Sequence, residues 1–134
     1  MNFNKTILHE NERRILVVDD EKVVRHFTRT ALVRNGYKVF VAESGNEAIE
    51  IFNQKEFNFS LALIDVGLPD KTGFEVAQEF QFRNPAVKII LSSGYGDDEM
   101  RKLVVQDKQF RFLAKPYSIE ELLIAINGCS VSIC

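Results

Sequence analysis

The sequence predicts an α/β domain: a parallel five-stranded sheet covered by helices on both faces. Three observations predict it. Short, β-branched apolar runs alternate with segments of helical periodicity five times along the chain. The runs show no polar alternation, as expected of strands buried on both faces. Most of them stop abruptly at charged or hydroxyl residues followed by loop formers. Leu61-Ala62-Leu63-Ile64-Asp65 is the clearest case, an apolar run that ends in one carboxylate before Val66-Gly67-Leu68-Pro69.

Residues 1–12 are polar and aperiodic and read as a lead-in. The first strand is Arg13 to Val18, stopped by Asp19-Asp20-Glu21. From Lys22 to Arg34 the apolar positions Val23, Val24, Phe27, Ala31 and Leu32 follow helical spacing, and Asn35-Gly36 stops the helix. Tyr37 to Ala42 is the second strand. Ser44 caps the next helix, with Glu47 in capping-box position and Ala48, Ile49 and Phe52 on its inner face. The third strand ends at Asp65. A helix follows from Thr72 to Phe82, carrying Phe74, Ala77 and Phe80, with Asn84-Pro85 as its stop.

Val87 to Leu91 is the fourth strand, ending in Ser92-Ser93-Gly94-Tyr95-Gly96, and Asp97 caps a short polar helix through Gln106. Phe110 to Ala114 is the fifth strand, ending in Lys115-Pro116. Ser118 and Glu121 open the last helix, Leu122, Leu123 and Ile126 face inward, and Gly128 ends it. Of the common doubly wound orders, the flavodoxin-like 2-1-3-4-5 suits five strands and makes a three-layer (βα)5 sandwich with right-handed crossovers. One domain over 13–128 and a tail over 129–134 complete the expected organisation.

Composition narrows the function classes. At 134 residues, 46% hydrophobic and 27% charged, the chain can bury a core without staples. A net charge of −2 gives no footprint for nucleic acid or an anionic membrane. No apolar segment approaches the length needed to cross a bilayer, and no signal peptide is evident. The two cysteines, Cys129 and Cys134, have no metal-ligand spacing. A cytoplasmic, reducing location is the expectation.

In a parallel sheet every strand ends at the same edge. Order 2-1-3-4-5 therefore gathers Asp19 and Asp20, Asp65, Ser92 and Ser93, and Lys115 in one crevice at the carboxyl edge, where open α/β sheets bind ligands. Two like charges at 4 Å repel by about 4 kcal/mol at an effective dielectric of 20, so a retained proton or a cation is required. Oxygen ligands without His or Cys suit Mg²⁺ rather than zinc. A carboxylate beside Mg²⁺ can attack phosphorus, Lys115 can contact a phosphoryl oxygen, and the Ser93 hydroxyl can donate to another. Because these groups come from different strands, a phosphoryl group would change contacts between elements, the basis of a switch.

Val17-Val18-Asp19-Asp20-Glu21, Ile64-Asp65-Val66-Gly67-Leu68-Pro69 with Gly73, Leu91-Ser92-Ser93-Gly94-Tyr95, and Leu113-Ala114-Lys115-Pro116 together resemble the receiver domain of two-component response regulators. The resemblance covers Arg13 to Asn127. It implies that Asp65 is the phosphoacceptor for a phosphohistidine on a sensor histidine kinase or histidine phosphotransfer protein. It also implies that Asp19 and Asp20 bind Mg²⁺ with Asp65 and the Gly67 carbonyl. Ser93 matches the family's hydroxyl switch, Lys115 its lysine, Pro116 its cis proline, and Phe112 its aromatic switch position without the hydroxyl. The Ser-Gly-Tyr form of the fourth-strand motif resembles receivers attached to hybrid sensor kinases. A monomer or weak homodimer is expected, with no direct nucleic-acid or membrane binding.

Blander readings stand beside these. Asp19-Asp20 and Ser92-Ser93 can be helix caps, Lys115 a solvated surface lysine, Phe112 a core residue, and His26 a surface or packing residue. Two other functions compete: a Mg²⁺-dependent phosphatase with Asp65 as nucleophile, and a receiver-like interaction domain that works without phosphorylation. Haloacid-dehalogenase-like phosphatases need a second acid two residues after the nucleophile, where this chain has Gly67.

Overall fold

The computed structural model describes residues 14–54, 58–94, 102 and 110–130. Among them run β1 (Arg14–Val18), α1 (Lys22–Arg34), β2 (Lys38–Ala42), α2 (Gly45–Phe52), β3 (Leu61–Asp65), α3 (Gly73–Arg83), β4 (Lys88–Ser93), β5 (Arg111–Ala114) and α4 (Ile119–Ser130). The five strands form one parallel sheet in the order β2-β1-β3-β4-β5, as the sequence predicts. The helix expected over Asp97 to Gln106 lies, but for Lys102, outside the described residues, as do the lead-in and residues 131–134.

Strand alternation splits the core into two layers. Leu16, Val18, Ala62, Ile64, Ile89 and Leu91 face one way and pack with residues of α2 and α3. Ile15, Val17, Leu61, Leu63, Ile90 and Leu113 face the other and pack with residues of α1 and α4. The first layer is rich in Phe: Phe52 stacks on Phe80 with centroids 4.0 Å apart, and Phe59 extends the stack at 5.9 Å. Such ring pairs add to the area they bury.

Local sequence accounts for the helix ends. Gly36 takes φ 91°, Gly36 and Tyr37 donate to the Val33 and Leu32 carbonyls, and the result is a Schellman end for α1. Ser118 and Glu121 form both bonds of a capping box, and so do Thr72 and Glu75. Ser44 accepts from Glu47 as expected, but the Glu47 carboxylate reaches the Glu43 amide instead of its own cap.

Three expectations are revised. β4 runs two residues past Leu91, because Ser92 pairs in register with Asp65 and Ser93 with Ala114, so the serines expected to end the strand belong to its ladder. Gly128 does not end α4, which extends to Ser130. A methyl group there would press on the Arg111 guanidinium at 3.1 Å, so this glycine serves close packing. On α1 the buried positions are Thr28, Ala31 and Leu32, whereas Val23 and Phe27 are exposed.

Gly73 fixes the start of α3 against the end of β3. A Cβ at this position would overlap the backbone carbonyl of Asp65, and the Gly73 amide already donates to the Val66 carbonyl at 3.0 Å. We expect Gly73→Ala to cost about 1–3 kcal/mol, the usual price of overpacking. Chemical denaturation measures it, and an unchanged midpoint would show that the backbone yields.

Candidate functional site

Four of the five buried polar or charged residues among those described lie at the carboxyl edge of the sheet: Asp19, Asp65, Ser92 and Ser93. Asp19 follows β1 directly, Asp65 ends β3, and the two serines end β4. Lys115 follows β5, its amide donating to the Ser93 carbonyl at 2.8 Å. Its peptide bond to Pro116 is cis. Asp65 and Lys115 line an open crevice of about 690 Å³ together with Asp20, Glu21 and Gly67.

One ammonium organises the charges. Lys115 Nζ lies 2.7 Å from Asp19 Oδ2, 3.1 Å from Asp65 Oδ2 and 3.2 Å from Glu21 Oε1. The Asp19 and Asp65 pairs are buried, while Glu21 is largely exposed. The surface-lysine reading of Lys115 is therefore excluded.

The carboxylates are also held from behind. Asp19 Oδ1 accepts from the Glu21 amide at 2.9 Å, and Asp65 Oδ1 accepts from the Gly67 amide at 3.1 Å. Arg25 donates to the Asp19 backbone carbonyl at 2.9 Å and pairs with Glu43 at 3.4 Å. The loop after β3 is anchored by Asp70, whose carboxylate accepts from the Gly45 and Asn46 amides, both at 2.8 Å. This places an acid at the positive end of α2.

Burial raises the Asp19 carboxyl above its ordinary pKa, only partly offset by Lys115. Burial and the nearby Asp19 charge push Asp65 up to about 6 against the pull of Lys115. Burial works against the Lys115 charge, but its bonds to Asp19 and Asp65 outweigh that and raise its pKa. One cation facing three carboxylates leaves the crevice acidic, with Asp65 poised near neutrality.

The acids that share a potential metal position are Asp19, Glu21 and Asp65, whose ligand oxygens all lie within 4.8 Å of one another. This all-oxygen set can hold a hard divalent ion. Asp20 is exposed at the crevice wall and stands outside this group of three. Neither Asp19 nor Asp20 caps α1, whose N-cap is Glu21 without a side-chain capping bond. Ser93 Oγ is buried and has no hydrogen-bond partner among the described residues, an orphan that a ligand oxygen would satisfy. Phe112 is half-buried and packs against the Phe-rich layer.

The sequence reading brings Asp19, Asp65, Ser93 and Lys115 to one edge, and it passes over Glu21, Arg25 and Asp70. Glu21 carries a visible signal as the third acid of a run. Arg25 lies four residues further along the same helix face. Asp70 has no signal beyond being an acid in a loop.

A family model described as the response regulator receiver domain matches residues 15–127. The chain is 34% identical over 113 residues to the sensor kinase CckA of Brucella abortus, covering 84% of this chain and 12% of that protein. It is 32% identical over 114 residues to the chemotaxis protein CheY of Bacillus subtilis, covering 85% of this chain and 94% of that one. A crystal structure of a response regulator receiver domain protein from Clostridium thermocellum superposes with a TM-score of 0.78 at 28% identity, over 87% of this chain and 92% of that one. The chain spans less than half the length of several other curated relatives, such as the 30% it covers of a cyclic di-GMP phosphodiesterase from Thermotoga maritima. The chain belongs to the response regulator receiver domain family.

Proposed function

We propose that residues 13–128 form a receiver that takes a phosphoryl group from a phosphohistidine onto Asp65, with Mg²⁺ as cofactor, and changes conformation as a result. The observation that carries this reading is the contact of the buried Asp65 carboxylate with the Lys115 ammonium, 3.1 Å apart in an open crevice. A carboxylate oxygen of Asp65 attacks phosphorus, the P–N bond breaks, and the imidazole nitrogen keeps the electron pair and takes up a proton from solvent. Lys115, already held at Asp19 and Asp65, is placed to neutralise an oxygen of the transferred group. Ser93, whose hydroxyl has no partner among the described residues, donates to a second oxygen, and its β4 position couples the event to the sheet edge. Phe112 follows by repacking alone, having no hydroxyl to bond.

Asp19, Asp65, the Gly67 carbonyl, and Asp20 or Glu21 are the residues that would hold Mg²⁺. When bound, the ion neutralises charge on the phosphoryl oxygens. The chain is thus a signalling switch that catalyses only its own phosphorylation and dephosphorylation, in the cytoplasm, as a monomer or weak homodimer.

Gly67 favours this over a phosphatase acting on small esters. No acid stands two residues after Asp65 to protonate an alkoxide. An imidazole, protonating near pH ~6.5, leaves without such help. The crevice also runs into apolar surface on α1, where Val23 is 81% exposed and Phe27 joins the wall. This suits a protein donor, a sensor histidine kinase or histidine phosphotransfer protein, better than a small ester.

Beryllofluoride with Mg²⁺ should shift the NMR signals of Asp65, Ser93 and Lys115 in the wild type and leave Asp65→Ala unchanged. An unperturbed wild-type spectrum, or an equal response in the variant, contradicts the proposal. The acidic crevice also predicts a pH effect on the metal-free protein. Between the ordinary carboxyl value of 3.8 and about 6, folded Asp65 keeps a proton that the unfolded chain has lost. The penalty of ionised Asp65 is therefore present above pH ~6 and is lifted as pH falls toward ~4. Thermal melts should place Asp65→Asn above wild type by roughly 3–6 °C at pH ~7.5, with the gap closing toward pH ~4. A gap that widens in acid would reverse the sign argued for Asp65.

A further inference from the structure

The fifth buried polar residue, Thr28, lies away from the carboxyl edge of the sheet, and its partner leads back to the crevice. Its hydroxyl and that of Tyr117 are 2.6 Å apart, across 89 residues of sequence. Tyr117 sits two residues after Lys115, lines the same crevice, and packs its ring beside Phe27 at 6.4 Å. The segment that carries it is pinned at both ends. The Lys115 amide bonds to the Ser93 carbonyl, and Ser118 closes the capping box of α4. Between these points Tyr117 ties the segment sideways to α1 through Thr28 and Phe27.

Glu21, Arg25 and Thr28 stand four and three residues apart, a single helix face. Along that face Glu21 meets Lys115 Nζ, Arg25 grips the Asp19 carbonyl, and Thr28 holds Tyr117. One rigid helix thus touches both the acid that precedes it and the segment that presents the lysine. A buried Thr–Tyr pair could be exchanged for Val and Phe of the same shape at little net cost in stability, so stability alone does not account for the two hydroxyls.

We propose that Tyr117 is a positioning residue: its hydrogen bond to Thr28 fixes residues 115–118 against α1 and so places the Lys115 ammonium between Asp19 and Asp65. The inference rests on the reading of Asp65 as phosphoacceptor and adds to it the residue that sets the lysine.

The test is a double-mutant cycle on the whole chain, read by NMR titration with beryllofluoride and Mg²⁺ and accompanied by thermal melts. Tyr117→Phe and Thr28→Val should each weaken binding about two- to tenfold, the range of one hydrogen bond. The double variant should bind no more weakly than the weaker single, because both changes break the same bond. Thr28→Ser, which keeps the hydroxyl, should bind within about twofold of wild type, and the melting temperature of the double variant should stay close to that of wild type because no hydroxyl is left unpaired. Unchanged affinity in Tyr117→Phe, losses that multiply in the double variant, or a Thr28→Ser as weak as Thr28→Val would each overturn the inference. A wild type that fails to bind beryllofluoride removes the phosphoacceptor reading itself. A wild type that binds, with variants that bind equally well, removes only the role of Tyr117.

Discussion

The Lys115 ammonium, in contact with Asp19 at 2.7 Å and Asp65 at 3.1 Å, is the interaction on which the rest of the site depends. Two carboxylates at the ends of adjacent strands cannot both stay ionised and buried without a counter-charge. Lys115 supplies it from β5, two strands away from β3 in the sheet. Its side chain must pass over the end of β4, and small residues stand there. Among the described residues, a methyl group on Gly94 would meet only the Lys115 Cβ, at 3.9 Å. Strand order, the two serines, Gly94 and the reach of one lysine are thus parts of a single arrangement.

That arrangement is balanced rather than strongly stabilising. Buried ion pairs return little net stability once desolvation is counted, and a single cation leaves the third carboxylate, Glu21, in a crevice that is still acidic. Asp65, pushed up to about 6, carries the cost. A site of this kind gains most when a dianionic group and a divalent cation enter together, because each cancels charge that the other leaves. The scaffold around it is built to resist: Gly73 allows no methyl, Asp70 ties the following loop to α2, and one face of α1 reaches both the acids and the lysine segment.

Much of the fold was legible because doubly buried parallel strands read as unbroken apolar runs, and Leu61 to Asp65 is such a run in both sequence and structure. The convergence of Asp19, Asp65, Ser93 and Lys115 followed from the strand order alone. What misled was composition at element ends. Gly128 looks like a stop but makes room for Arg111. Glu21 was hidden for a different reason. Three acids in a row say nothing about which side chain turns toward a lysine 94 residues away. The Thr28–Tyr117 bond is likewise a tertiary fact, for an isolated Thr on a helix face carries no mark of its partner.

The central claim is that Asp65 accepts a phosphoryl group whose leaving group needs no acid. Phosphoramidate, which offers the same P–N bond as a phosphohistidine, tests it without a cognate kinase. With Mg²⁺ present, intact-mass spectrometry and peptide mapping should find one phosphoryl group on Asp65 in the wild type and none in Asp65→Asn. A wild type that gains no mass, or a phosphoryl group that persists when Asp65 is replaced, would contradict the account.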